Sequence, residues 1–284
     1  MNKSIQKIWR NDNINRLFSI LRYSLWQLYK ILNLFPRTIS ISNSKVYIKN
    51  VKSANEGGGL IFTHGLYDYN NMNLLLALTG IDKQVFYDIG ANKGVYSLLA
   101  SENPETKIYT FEPHPETYNE LKRNIELNER NVQILNLALG DRNGSTKFTD
   151  EAGSCVNKII LDTNPNEINK TITVPLKTLD NLINEGVDIA DIVKIDVEGF
   201  EYGVLQGFEN NIQKVKFFQI EISKNFEQIV SFMRNNGFVG PYYYRDKTQT
   251  LYSEKFMGCE DPLFINKSYM PFLHKELSIK ILNN

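Results

Sequence analysis

The sequence has few of the residues that mark several common classes of protein. It contains two cysteines in 284 residues, Cys155 and Cys259, too few and too far apart for a disulfide scaffold or a cysteine zinc cluster. Its three histidines lack the E-x-x-H or H-x-H spacing of a zinc enzyme. The sequence has no uninterrupted apolar run of about 18 residues, and its start lacks the order of charge, apolar core and cleavage site of a signal peptide. We therefore expect a protein of the reducing cytoplasm without a zinc site.

The composition is that of a globular protein, with 42% hydrophobic and 12% aromatic residues. The 32 basic and 32 acidic residues cancel, but they are unevenly distributed. Residues 1–55 contain ten Lys or Arg and one acidic residue, a net charge of +9, whereas the remainder contains 22 basic and 31 acidic residues, a net charge of −9. The glycines of residues 56–59 predict a flexible turn. We therefore predict an N-terminal appendage over 1–59 and a main domain over 60–284.

Residues 14–35 repeat apolar side chains every three or four positions, which predicts an amphipathic helix that ends at Pro36. One interpretation is a lid helix packed on the main domain. The other is a basic helix at an anionic membrane surface, because Trp26 lies near Arg22 and Lys30. The sequence leaves both interpretations open.

After Gly80, short apolar runs alternate with helical patterns, which is typical of a parallel sheet covered on both faces. The predicted strands are 84–88, 107–111, 132–137, 191–196 and 216–222. Between 141 and 180, turn residues and alternation predict a small β excursion, and the C-terminal aromatic segments predict antiparallel strands. The fold class is thus α/β, a Rossmann-like, doubly wound, mostly parallel sheet with an antiparallel C-terminal hairpin.

The segment with the clearest chemistry is the turn after the first predicted strand. It contains Asp88, Gly90, Asn92 and Gly94 and leads into a predicted helix over 95–100. Glycines there let the backbone approach a ligand, and Asp88 can accept hydrogen bonds from an ammonium or a water. The segment matches neither the G-x-G-x-x-G dinucleotide fingerprint nor a P-loop. Because we find no joint packing purpose for Asp88, Gly90 and Gly94, we expect a different ligand.

Glu112 ends the next predicted strand, 22 residues after Gly90. An acidic residue at this place in a doubly wound fold is suited to bind the two hydroxyls of a ribose. Together, the turn and Glu112 predict a nucleoside-containing ligand.

Five blocks in sequence order extend this pattern: D-x-G-A-N-x-G from Asp88 to Gly94, F-E-P-H-P from Phe111, A-L-G-D from Ala138, T-L-D from Thr178, and K-I-D-V-E-G from Lys194. Over about residues 60–265 the chain resembles the FkbM-type family of class I S-adenosylmethionine-dependent methyltransferases. The last block narrows the resemblance to this family.

The resemblance implies a seven-stranded sheet with S-adenosylmethionine across the carboxyl ends of the first strands. It places Gly90, Asn92 and Gly94 beneath the methionine part, Asp88 near its ammonium and Glu112 at the ribose. The loop over 136–139, with Asn136 and Ala138, would border the adenine. It also implies methyl transfer to a hydroxyl of a sugar, a glycan or a related small molecule.

Methylation of an alcohol benefits from a general base, and Asp196 and Glu198 at the end of the fourth predicted strand are the favoured candidates. Alternatively, Glu198 caps the following helix and Asp196 only positions a hydroxyl. A divalent ion is compatible with these carboxylates but not required. Glu221 can bind acceptor hydroxyls, and His64 can cover the cofactor or act as base.

Two other functions are compatible with the fold. The first is a non-catalytic cofactor-binding or scaffold protein. The second is a nucleic-acid methyltransferase, which the charge of −9 on the main domain disfavours. The sequence specifies neither the acceptor nor the oligomeric state.

Overall fold

The computed structural model describes residues 16–34, 36–48, 58–150, 157–160, 170–255 and 261–282. Cys155 and Cys259, the two residues behind the prediction about disulfides, lie outside these ranges. The helices of the described residues are α1 (Arg16–Leu32), α2 (Gly59–His64), α3 (Tyr69–Thr79), α4 (Val95–Ala100), α5 (Pro115–Leu127), α6 (Leu179–Asn184), α7 (Glu201–Gln206), α8 (Phe226–Asn235) and α9 (Met270–Leu277). The strands are β1 (Thr38–Ile41), β2 (Ser44–Tyr47), β3 (Val85–Ile89), β4 (Lys107–Phe111), β5 (Val132–Leu135), β6 (Ala138–Leu139), β7 (Gly144–Thr149), β8 (Thr171–Lys177), β9 (Ile192–Ile195), β10 (Phe217–Ile220), β11 (Phe238–Arg245), β12 (Thr250–Tyr252), β13 (Leu263–Asn266) and β14 (Lys280–Leu282).

The main sheet has the order β14-β12-β11-β13-β10-β9-β3-β4-β5. The run from β5 to β10 is parallel, and β13 and β11 then pair antiparallel with their neighbours. This confirms the doubly wound, mostly parallel fold. The sheet has nine described strands rather than the predicted seven, because the short strands β12 and β14 extend the edge beyond β11.

Alternate residues of the parallel strands enter two cores, as the period of two in a strand requires. Phe86 packs in a core that is covered by α3, α4, α5 and α9. Its neighbour Tyr87 packs in the opposite core, under α6, α7 and α8. Helices therefore cover both faces, which explains why these strands are apolar at nearly every position.

The N-terminal region contains more structure than the sequence pattern indicated. The hairpin β1–β2 was not predicted, although Ile39, Ile41 and Val46 alternate with exposed positions and are buried. The turn predicted at 56–59 is also partly wrong, because Gly59 begins α2. A Cβ at Gly59 would lie 2.6 Å from Nε1 of Trp26, so this position needs glycine for packing against α1.

The β excursion predicted over 141–180 forms a separate three-stranded sheet, with β8 between β6 and β7. Strand β8 pairs antiparallel with β7 along its full length and parallel with β6. Of the turn residues that suggested this excursion, residues 153, 164 and 165 lie outside the described ranges.

Gly90 and Gly94 have a packing purpose that the sequence did not reveal. A Cβ on Gly90 would lie 1.8 Å from the carbonyl oxygen of Asp196, and one on Gly94 would lie 2.2 Å from Cδ1 of Leu121. Both glycines also have positive φ, +79° and +77°. The close approach of strands β3 and β9 therefore requires Gly90 whether or not a ligand binds.

Gly90→Ala should destabilise the protein strongly, because the added methyl group must displace the backbone at Asp196. We expect a loss of more than about 3 kcal/mol in the free energy of unfolding, of which positive φ accounts for about 1–2 kcal/mol. Urea unfolding measures this loss. The control is Gly237→Ala, which has φ +90° and nothing within 4 Å of the new Cβ. Equal losses in the two variants would contradict the packing argument.

Candidate active site

A cavity of about 340 Å³ lies at the carboxyl ends of β3, β4 and β9. Its volume is within the range of about 300–1,000 Å³ usual for small-molecule sites. The turn after β3, Glu112 and residues 196–198 line one side, while Val46, Ile48, Leu60, Ile61 and Tyr67 line the side formed by the N-terminal region. The predicted N-terminal appendage, residues 1–59, and the predicted main domain, residues 60–284, thus both contribute residues to this cavity.

Asp88 lies at the bottom of this cavity and is 2% exposed. Its Oδ2 accepts hydrogen bonds from the backbone N–H of Ser97 at 2.9 Å and from Ser97 Oγ at 2.6 Å. Ser97 Oγ also lies 2.7 Å from Thr110 Oγ1 on the neighbouring strand. Burial raises the pKa of Asp88 to about 6, against the hydrogen bonds from Ser97 and the charge of Lys194, which lower it.

Glu112 lines the same cavity and is held by two backbone donors. Its Oε2 accepts from the N–H of Asn92, and its Oε1 from the N–H of His114, both at 2.9 Å. Burial raises the pKa of Glu112 to about 8, although the two N–H groups lower it. The carboxyl is therefore joined directly to the turn that follows β3.

The other predicted cofactor residues occupy two kinds of position. Asn92 and Ala138 line the cavity. Asn136 instead donates hydrogen bonds to the carbonyl oxygens of Glu112, at 2.8 Å, and Pro113, at 3.0 Å, so it fixes the loop that carries Glu112. Gly94 is not among the lining residues; it precedes α4 and packs on α5.

Asp196 and Glu198 both line the cavity, as expected for residues that follow β9. The alternative role of Glu198 as a helix cap is wrong. The N-cap residue of α7 is Phe200, and no side chain caps this helix. The carboxylate that binds backbone near its start is that of Glu201, which accepts a hydrogen bond from the N–H of Gly199 at 2.7 Å. Burial, followed by the charge of Asp196, raises the pKa of Glu198 above its ordinary value.

Glu221 and His64 are not among the residues that line the cavity. Burial raises the pKa of Glu221 well above the ordinary value, and the charges of Asp196 and Asp261 add to the effect. His64 is the last residue of α2, and Leu60 and Ile61 of the same helix line the cavity instead.

Sequence reasoning did not identify Lys194 as a site residue. Its Nζ lies 2.9 Å from Oδ2 of Asp261 and 3.4 Å from Oδ2 of Asp196, and also 5.0 Å from the centre of the Tyr96 ring. Burial lowers the pKa of Lys194, but the charges of Asp261 and Asp196 outweigh it and raise this pKa well above the ordinary value. The sequence did contain a signal for Lys194, because a lysine within the apolar strand Ile-Val-Lys-Ile must be buried and therefore needs an acidic partner. Asp261, far away in sequence, gave none.

Lys194→Met should cost about 3–5 kcal/mol in the free energy of unfolding, because it leaves the buried carboxylate of Asp261 without its cation. Adding Asp261→Asn should recover much of this loss. The matched control is Lys83→Met, whose exposed ion pair with Glu105 at 3.4 Å should be worth less than about 1 kcal/mol. Chemical unfolding of the wild type, Lys194→Met, Asp261→Asn and the double variant measures the coupling between the two residues. Additive losses at 194 and 261 would argue against the pair.

Comparison with known proteins identifies the family. The family model of the methyltransferase FkbM domain matches residues 88–239, more than half of the chain. The chain therefore belongs to the FkbM methyltransferase family. This confirms the family predicted from the sequence and supports S-adenosylmethionine as the cofactor.

Characterised relatives match only part of the chain. Hexuronic acid methyltransferase AglP of Haloferax volcanii is 28% identical over 144 residues, which cover 50% of this chain and 56% of AglP. Methyltransferase sdnD of Sordaria araneosa is 27% identical over 180 residues, which cover 52% of this chain and 66% of sdnD. The matches thus span less than two thirds of either relative.

Solved structures with a similar fold are more distant in sequence. Methyltransferase FkbM from Methylobacillus flagellatus has a TM-score of 0.40 and 16% identity, and the match covers 65% of this chain and 44% of that chain. TrmK of M. capricolum, solved with S-adenosylhomocysteine, has a TM-score of 0.41 and 16% identity, and the match covers 69% of this chain and 67% of TrmK.

Proposed function

We propose that this chain is an S-adenosylmethionine-dependent O-methyltransferase that acts on a hydroxyl of a sugar, a glycan or a related small molecule. The observation that carries the proposal is one cavity lined by the turn after β3, by Glu112 and by the carboxylates Asp196 and Glu198. Family membership supports methyl transfer. The name of the relative AglP, a hexuronic acid methyltransferase, supports a carbohydrate acceptor.

The residues present fit this cofactor. When bound, S-adenosylmethionine supplies an electrophilic methyl group on a positively charged sulfur. The cavity has an acidic lining that favours a cation, with Asp88, Asp196 and Glu198 against Lys93 and Lys194 even while Glu112 is protonated. Asp88 would hold the ammonium of the methionine part, and Glu112 would accept the ribose hydroxyls with its remaining lone pairs.

Asp196 is the residue that we propose as the base. It would accept the proton of the acceptor hydroxyl, which leaves the oxygen free to attack the methyl group. Lys194 contacts its carboxyl at 3.4 Å and holds it in position. Such a base contributes about 10² to 10⁴ in rate, whereas alignment of the two reactants in one cavity can contribute roughly 7–11 kcal/mol.

Nucleic-acid methylation receives less support from the cavity. A nucleic-acid acceptor would bring phosphates beside Asp196 and Glu198, and like charges repel. Among the lining residues carboxylates outnumber lysines, so an acceptor without phosphates fits better.

Binding of S-adenosylhomocysteine should tighten about tenfold between pH 7 and pH 9, because Glu112, with its pKa of about 8, is mostly protonated at the lower pH and charged at the higher. A charged carboxylate is the stronger acceptor for ribose hydroxyls. Glu112→Gln is neutral at every pH and should bind more weakly without this change. Calorimetry measures both proteins. Parallel pH profiles of the wild type and Glu112→Gln would contradict the ribose role, and a wild type that fails to bind would contradict the cofactor site.

Asp196→Asn should lower methyl transfer by about 10² to 10⁴ while its affinity for S-adenosylhomocysteine changes little, because the amide cannot take up the proton. The matched control is Glu198→Gln, which removes another carboxylate from the same cavity and should cost less than about tenfold. Mass spectrometry of glycans and metabolites from producing cells with and without the protein would find the acceptor by a shift of one methyl group.

If the wild-type chain binds the cofactor but transfers no methyl group to any such pool, the non-catalytic alternative is favoured. If Glu198→Gln rather than Asp196→Asn abolishes transfer, Glu198 is the base.

A further inference from the structure

Helix α1 contacts the protein through the side opposite to its most apolar face. Trp26 is 2% exposed and packs on Phe62, with ring centres 5.0 Å apart, and against Gly59 at the start of α2. Besides Phe18, the exposed large apolar residues of the helix, with exposed fractions from 39% to 80%, are Leu17, Leu21, Leu25, Leu28, Ile31 and Leu32.

These six side chains form one continuous stripe, because they recur at the three- and four-residue spacing of a helix face. We call them the leucine face. Isolated exposed apolar residues are ordinary, but a contiguous patch of this kind marks an interaction surface. Helix α1 does pack on α2, as in the lid interpretation, but it does so through Trp26 and not through the leucine face.

The net charge of the N-terminal segment indicates an anionic partner for the leucine face. Lys30 is exposed on the same helix, and the guanidinium of Arg22 lies 4.9 Å from the centre of the Phe62 ring, at the side of the helix. Residues 1–55 carry ten basic residues and one acidic residue. A second copy of the chain on this face would bring two segments of net charge +9 together, which Coulomb repulsion opposes.

We propose that the leucine face of α1 docks on an anionic lipid surface, with the helix axis parallel to the membrane. An apolar stripe on a helix from a strongly basic segment is the pattern of interfacial helices, which insert one face at the boundary of head groups and acyl chains. Among the described helices, none has the length and apolarity needed to cross a bilayer. The proposal does not depend on the methyltransferase assignment.

The position of α1 makes docking relevant to the cavity. Helix α1 packs on α2, and Leu60 and Ile61 of α2 line the cavity. The lipid surface would thus lie one helix away from the cavity wall. Because Val46 and Ile48 also line the cavity, point substitutions test docking more cleanly than removal of residues 1–55.

The test is sedimentation of the full-length protein with two kinds of vesicle, one of phosphatidylcholine and one with roughly one third phosphatidylglycerol. The protein should sediment with the anionic vesicles, less so at high salt, and only weakly with the neutral ones. Leu21→Gln with Leu28→Gln should weaken this partition at least about tenfold, because it removes buried apolar area without changing charge.

The control is Leu127→Gln with Leu282→Gln, two exposed leucines outside α1; they are 43% and 48% exposed, against 69% and 47% for Leu21 and Leu28. This control should bind vesicles like the wild type. Circular dichroism and the thermal midpoint verify that both double variants fold. Three results would overturn the proposal: no sedimentation with anionic vesicles, equal loss in the two double variants, or a dimer in analytical ultracentrifugation that only the α1 variant dissociates.

Discussion

The geometry of the site depends on the ion pairs that the buried ammonium of Lys194 makes with Asp261 and Asp196. The registers of the parallel strands place Thr110, Asp88, Lys194 and Gln219 in one row across β4, β3, β9 and β10. All four are at most 3% exposed. In an otherwise apolar core, a carboxylate such as Asp88 is costly unless a cation or hydrogen bonds compensate it. Lys194 provides that charge to Asp88 on one side and to Asp261, which lies just before β13, on another.

This arrangement links the stability of the sheet to the chemistry of the cavity. The same lysine that compensates Asp261 also contacts Asp196, the residue at the carboxyl end of β9. The ammonium of Lys194 is itself part of the cavity wall and holds the Asp196 carboxylate in one orientation there. The other acidic residues of the lining can attract a positively charged ligand. This preference for a cation follows from the summed charge of the lining rather than from any one contact.

Local sequence patterns predicted the centre of the fold better than its edges. The five parallel strands lie within two residues of their predicted bounds, because each is a short apolar run between helical patterns. The short strands β1, β2 and β14 were not predicted, since three or four residues give little periodicity and pairing decides their state. Within the site, Asp88 and Glu112 follow from position along their own strands. The roles of Asp261 and Val46 could not be found in this way, because Asp261 pairs with Lys194 and Val46 lines the cavity through contacts that are distant in sequence.

The two largest corrections share one physical cause, which is that a local pattern specifies a conformation but not its partner. A glycine with positive φ at position 90 is compatible with close approach of either a ligand or a neighbouring strand. Only the distance to the carbonyl oxygen of Asp196 shows that the neighbouring strand requires the glycine. In the same way, the period of α1 shows that one face is apolar but not whether that face meets protein. The buried Trp26 answers that question, because it lies on the opposite side of the helix from Leu21 and Leu28. A burial pattern that runs against the hydrophobic pattern therefore carries information that composition and spacing lack.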